Sequence, residues 1–267
     1  MPCGLFHVFR LLILASLKYT RKVRKDMLKY CLDTHTHTVA SGHAYSTIHE
    51  MVEFAKQKGL SLLAITDHAP TMPGSTHRFY FDNLKVYNGK DLGIEVLFGV
   101  ELNILDYEGH VDLDNTLLSK LGLRIASLHG PCYKIGNMKE NTDAYVNAMK
   151  NPYIDILGHP DDSRIPVDYP RLVEEAKKHR IALELNNSSL NPSSFRQNAY
   201  ENTLIYLKLC KEYGVPISLG TDSHVCYDIG DFSYAQKVLD EVDFPEELII
   251  NTSVERFKAY LASRRNF

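Results

Sequence analysis

Seven of the twelve histidines in this 267-residue sequence stand at the end of a short aliphatic run or just past one. The densest stretch, "DTHTHTVASGH", places His35, His37 and His43 within nine residues. His68 closes "SLLAITDH", His129 lies in "RIASLHG", His159 in "YIDILGHP", and His224 ends "PISLGTDSH". Two carboxylates hold equivalent places: Glu101 at the end of "EVLFGVE" and Asp222 within "GTDSH". One such histidine is ordinarily structural; seven in equivalent places form a ligand set. Three four- or five-coordinate ions sharing a bridging carboxylate would use all nine donors, completed by water or substrate. Nitrogen-rich, thiolate-free ligation selects Zn first, with Mn or Fe as alternatives, over Ca or Mg. Clustered divalent ions bring the pKa of a bound water to about 7 and clamp both oxygens of a phosphoryl displacement. The chemistry expected is phosphate ester hydrolysis, with a metal-bridging hydroxide attacking phosphorus.

The elements that must position these residues follow from periodicity. Apolar runs recur about every 30 residues, at 30–35, 61–68, 95–101, 124–130, 153–160, 181–187 and 216–224. Near-continuous runs of this length suit strands buried on both faces, as in a parallel sheet. Strand alternation sends His35 and His37 to the same side. Helical patterns fill the gaps. "TIHEMVEFAKQKG" opens with a capping box, Thr47 and Glu50, carries Ile48, Met51, Val52 and Ala55 on one face, and stops at Gly59. "YPRLVEEAKKH" has Pro170 near its first turn. "QNAYENTLIYLKLCKEYG" places Tyr200, Leu204 and Leu207 on one stripe and ends at Gly214. Seven strand–helix units predict an α/β chain folded as a βα barrel, with an open doubly wound sheet as the alternative. In a barrel the C-terminal strand ends converge on one face, where active sites are built.

Composition narrows the function. With 44% hydrophobic residues the chain has enough apolar material for one large core. The net charge of −3 divides into +5 over residues 1–26 and −8 over the remainder. An acidic body argues against a nucleic-acid partner held through phosphate contacts. Five scattered cysteines, with no CxxC pair, argue against a disulfide framework and for a reducing cytoplasm. Residues 1–26 read as a leader of uncertain status outside a catalytic domain at 27–267. A dispensable leader with Met27 as the working start is favoured over a membrane-touching segment or a packed extra helix. Its clean apolar run, Leu11 to Leu17, is too short to span a bilayer, which needs about 20 residues.

Other residues have weaker claims. Asp33 and Asp67, adjacent to ligands, could orient imidazoles by accepting their other ring N–H, or simply cap strand ends. Arg78, Lys134, Arg164 and Arg196 follow the strand-end motifs in loops and, with His77, are the candidates for binding substrate phosphate. His49 and His179 read as solvent-facing helix residues. Cys132, in "HGPCYK", lacks the partners of a nucleophile.

Together "DTHTH", the histidine six positions later, "ITDHAP", "GVE", "LHGP", "LGHP", "LELNNSS" and "GTDSH" resemble the PHP (polymerase and histidinol phosphatase) superfamily, most closely its YcdX-like metal-dependent phosphatases. The resemblance runs from about residue 29 to the C-terminus. It implies a distorted seven-stranded (βα)7 TIM-like barrel, a trinuclear site and phosphoesterase activity. It implies that His35, His37 and Asp222 hold one ion, with Glu101 bridging to a second completed by His129 and His159. His43, His68 and His224 would hold the third. The implied partner is a small phosphorylated metabolite, with a homo-oligomer possible by analogy and no stable membrane insertion. Two alternative functions remain: a histidinol-phosphate phosphatase, and a non-catalytic or DNA-processing module.

Overall fold

The computed structural model describes residues 30–265, and the leader at 1–26 lies outside them. Two parallel sheets form the frame. The first orders β1 (Leu32–Asp33), β2 (Leu62–Ile65) and β3 (Glu95–Phe98). The second orders β4 (Val100–Asn103), β5 (Arg124–Ser127), β6 (Ile156–Leu157), β7 (Ala182–Asn186) and β8 (Ile217–Gly220). Strands adjacent in sequence are adjacent in each sheet and all run parallel, so each connection is a crossover.

The expected single seven-stranded barrel is therefore corrected to eight strands in two sheets among the described residues. The cause is Gly99. The run 95–101 is not one strand: the Gly99 N–H donates to Ile65 of β2, while the next N–H, of Val100, donates to Leu123 beside β5. A Cβ at residue 99 would sit 2.3 Å from the Leu123 carbonyl oxygen, so only glycine lets the chain change partners there. Isolated parallel bridges, Thr36 with Ser223 and His68 with Glu101, link the sheets beyond the named strands.

The strands are apolar on both faces because each face is covered. Leu62 and Ala64 of β2 join Leu32, Ile125 and Ile156 in a core closed by Phe257 and Leu261. These last two belong to the C-terminal helix Val254–Arg265. The alternate residues Leu63 and Ile65 pack on Met51, Val52 and Ala55 of helix α1 (Ile48–Gln57). The Thr47–Glu50 capping box forms at the start of α1. Helices α2 (Arg78–Asn83), α3 (Asn115–Leu118), α4 (Met138–Ala148), α5 (Tyr169–His179), α6 (Ala199–Tyr213) and α7 (Ser233–Val242) follow, then α8 (Val254–Arg265). Pro170 sits in the first turn of α5, and Gly214 caps α6 in the left-handed region. The buried stripe of α6 is Ala199, Thr203, Tyr206, Leu207 and Cys210. Tyr200 is exposed, so the expected stripe was turned by about one residue. Helix spacing admitted both; contact with α5 and the neighbouring strands selects the inward face. Among the described residues no helix is long and apolar enough to cross a membrane.

Candidate metal centre

The strands end early, and the ligand-type residues lie just beyond them. After β1 the chain continues through Thr34 to Thr36, whose bridge to Ser223 keeps it extended and holds His35 and His37 on one side. A short 3-10 turn, Val39–Ser41, follows and ends at Gly42 with φ 81°. A Cβ there would lie 1.9 Å from the Gly74 carbonyl oxygen, so the glycine allows the close turn that leads into His43. His159 and Asp222 also adopt positive φ, 25° and 54°. Each is fixed by its own backbone N–H: His159 donates to Glu184 Oε2 at 2.8 Å, Asp222 to the His35 carbonyl at 2.9 Å. Non-glycine residues hold such conformations only where their surroundings over-determine them.

Glu101, on β4 and fully buried, is the centre of the cluster. Its Oε2 lies 3.4 Å from His35 Nε2, 3.6 Å from His37 Nε2 and 2.7 Å from His68 Nδ1. Its Oε1 lies 3.2 Å from His129 Nε2 and 2.8 Å from His159 Nε2. Asp222 Oδ1 is 3.1 Å from His37 Nε2, 3.8 Å from His35 Nε2 and 3.6 Å from His224 Nδ1. His43 is solvent-exposed, with its ring centroid 4.9 Å from those of His68 and of His224.

The second nitrogen of several rings is committed elsewhere. His35 Nδ1 donates to Glu184 at 2.6 Å, His37 Nδ1 to Ser41 at 3.1 Å, His129 Nδ1 to Asn103 at 2.7 Å, and His224 Nδ1 to the Asp222 carbonyl at 2.9 Å. In a neutral imidazole this leaves the Nε2 lone pair free, and in His35, His37 and His129 it points at the carboxylates. His35 Nε2, His37 Nε2, His68 Nδ1 and Glu101 Oε2 are all buried without a hydrogen-bond partner. Unpaired buried groups of this kind are costly. Three sets of donors converge within 4.8 Å: His35, His37 and Asp222; His68, Glu101 and His129; His37, His68 and His224. Nitrogen and carboxylate donors facing one another at these distances suit divalent transition ions.

The field is strongly coupled. Burial pushes the Glu101 carboxyl up, but the imidazoles of His129, His35 and His68 outweigh it and hold the group well below the usual range. Asp222 is likewise held well below, against burial, by His35, His37 and His224. Burial would lower His35, yet Glu184, Glu101 and Asp222 raise it well above the ordinary value. His37 is pushed well below by burial and by neighbouring His68 and His224, which keeps it neutral.

The remaining expectations divide. Asp33 accepts no imidazole N–H: it caps the backbone at Thr221, Gly230 and His35. Asp67 acts at one remove, accepting from the Ser41 hydroxyl at 2.7 Å, which in turn holds His37. A cavity of about 760 Å³ opens on the cluster, lined by His43, His68, His129, His159, Asp222 and His224, and also by Arg164 and Arg196. His77, Arg78 and Lys134 are not among its lining residues. His77 caps α2 through the Phe79 N–H, and Arg78 pairs with Asp114 at 3.0 Å. His49 is exposed, and His179 is partly buried beside Glu175. Three polar partners went unrecognised in the sequence: Glu184, Asn103 and Ser41. The signal available was period two: Glu184 and Asn186 alternate along β7, and Asn103 stands two residues after Glu101.

The PHP domain family model matches residues 33–189 of this sequence. The chain belongs to the PHP domain family. A probable phosphatase of Clostridium novyi is 46% identical over 237 residues, covering 89% of this chain and 96% of that protein. A probable phosphatase of Caldanaerobacter subterraneus subsp. tengcongensis is 47% identical over 239 residues, covering 89% and 93%. Family membership and these relatives mark the chain as a phosphoric ester hydrolase. In fold, this PHP protein is similar to histidinol phosphate phosphatase from Lactococcus lactis, solved with Zn, L-histidinol and phosphate. The TM-score is 0.56 at 18% identity, covering 81% of this chain and 95% of that one.

Proposed function

We propose that this PHP protein is a metal-dependent phosphatase of small phosphomonoesters, working at a site for three divalent transition ions. His35, His37 and Asp222 would hold one ion, Glu101 with His129 and His159 a second, and His43, His68 and His224 the third. Zn is the first choice for this donor set, with Mn or Fe as alternatives. The reading rests on one observation: four buried ligand atoms, His35 Nε2, His37 Nε2, His68 Nδ1 and Glu101 Oε2, face one another with no partner. Bound there, divalent ions would supply an activated water and offset the negative charge on the phosphoryl and leaving-group oxygens.

The chain's own residues do the rest. Glu184, Ser41 and Asn103 hold three imidazoles in the tautomer that presents Nε2 inward. Arg196, nearly buried and 3.4 Å from Asp222, lies where a phosphate oxygen bound at the cluster would meet a guanidinium. The apolar part of the cavity stands beside the cluster and offers a surface for the non-reacting part of a substrate. The same reading takes the two sheets as halves of one distorted barrel, supported by the bridges at Thr36–Ser223 and His68–Glu101. A reducing cytoplasm is the compartment proposed, in keeping with Cys132, Cys210 and Cys226 being free thiols.

The test is phosphate release from p-nitrophenyl phosphate before and after chelation. Activity should vanish with the metal and return on adding back Zn, Mn or Fe; activity that survives thorough chelation would overturn the reading. A screen of phosphorylated metabolites that includes histidinol phosphate then assigns the substrate.

A further inference from the structure

The cavity has two unlike ends. Its floor is the histidine and carboxylate cluster, whereas its wall is apolar: Met72, Pro73, Ile135, Ile165 and Phe195. Phe195 is 72% exposed and Ile135 44%, large apolar surfaces left facing an open cavity. Apolar walls carrying few polar groups are what a small-molecule site uses to hold the non-reacting part of its ligand.

The cations lining the cavity are Arg164 and Arg196, and neither is free to meet a second phosphate. Arg196 pairs with Asp222 and donates to Ser189, beside the cluster. Arg164 is clamped by Asp162, its Nε 2.9 Å from Oδ2 and its Nη2 on the same oxygen. Its guanidinium carbon lies 4.8 Å from the Phe195 ring centroid, so its exposed charge is spent on a carboxylate and an aromatic face. The two loops that carry these residues are tied together. Ser163 donates to the Gln197 carbonyl at 2.9 Å, and the Gln197 N–H donates to Asp162 Oδ1 at 3.2 Å. The wall is thus preformed.

We infer that the substrate carries a single phosphate on an uncharged, apolar organic group that packs on Phe195 and Ile135, and that Arg164 is a post for this wall and not a phosphate ligand. This rests on the phosphatase reading above and deepens it. A second phosphate, or a strongly hydrated polyol, would have to give up its water against Phe195 and Ile165, where the neighbouring Arg164 is already paired with Asp162.

The test uses the metal-loaded full chain and three esters of primary alcohols, so that leaving-group chemistry is matched: 2-phenylethyl phosphate, glycerol 1-phosphate and 1,3-propanediol bisphosphate. The kcat/KM for 2-phenylethyl phosphate should exceed that for glycerol 1-phosphate by about tenfold or more, with the bisphosphate lowest. Phe195→Ala should reduce the phenylethyl-to-glycerol ratio several-fold, through KM, and Phe195→Leu should restore part of it. Hydrolysis of all three at similar kcat/KM, or a ratio indifferent to Phe195, would overturn this inference and leave the phosphatase reading standing. Phosphate release from none of them would overturn both.

Discussion

Both ends of the strands bury charge, and they do so in opposite ways. At the N-terminal end, Arg124 opens β5 and is almost wholly satisfied. Its backbone N–H and Nη2 donate to Asp155 at 3.0 and 3.3 Å, its Nη1 to the Leu121 carbonyl at 2.9 Å, and its Nε to Tyr153. Arg264 of α8 adds a bond to the Ile154 carbonyl at 2.7 Å. At the C-terminal end, His35 Nε2, His37 Nε2, His68 Nδ1 and Glu101 Oε2 have no hydrogen-bond partner, and His159 and Asp222 adopt positive φ. Around Arg124 the polar groups close on one another, with the Arg264 Nε left over, whereas around Glu101 four are held apart. Buried unpaired groups cost on the order of 1–3 kcal/mol each, so a fold retains them where something outside the chain completes them.

That contrast predicts different phenotypes for equally buried residues. The largest effect belongs to Glu101→Ala. It should lose bound metal and lower kcat/KM for p-nitrophenyl phosphate by on the order of 10³-fold, while the chain still melts cooperatively. Arg124→Met should do the reverse, leaving metal content and activity per folded molecule unchanged. Removing one partner of a buried pair should cost about 3–5 kcal/mol in urea unfolding. If Arg124→Met instead lost its metal, the two ends would not be separate systems.

Smaller effects sharpen the contrast. Glu184→Ala frees the His35 ring and the His159 backbone N–H while removing none of the side chains that face Glu101, and should weaken metal binding about 10- to 100-fold in competition with a chelating dye. The smallest effect is a pH slope. Burial raises the Asp155 carboxyl above its ordinary value, with Arg124 opposing the shift. A carboxyl raised in the folded state binds protons on folding. Its contribution is therefore present below about pH 3.9 and is lost as pH rises through the folded value. Asp155→Asn should flatten that decline in urea midpoints taken upward from about pH 4, and an unchanged slope would remove Asp155 as its source.

The site was more legible in the sequence than the frame. His35, His37, His68, His129, His159 and His224 could be found because imidazoles interrupt otherwise apolar runs at a repeated place, and strand ends of parallel units converge. Glu184 escaped because it sits inside a run, between Leu183 and Leu185, where only its side-chain direction distinguishes it. The strand count failed at Gly99, since a change of hydrogen-bonding partner leaves the apolar pattern intact. His77, Arg78 and Lys134 were grouped with Arg164 and Arg196 by loop position alone. Only the latter two line the cavity, because a loop side chain's direction is set by tertiary contacts such as Arg78 with Asp114.

Elemental analysis of the full chain, purified without chelators, tests the central claim most directly. About three transition ions per chain are expected, and about the same number in Arg124→Met. Fewer than two ions per folded chain, after reloading with Zn, Mn or Fe, would contradict it.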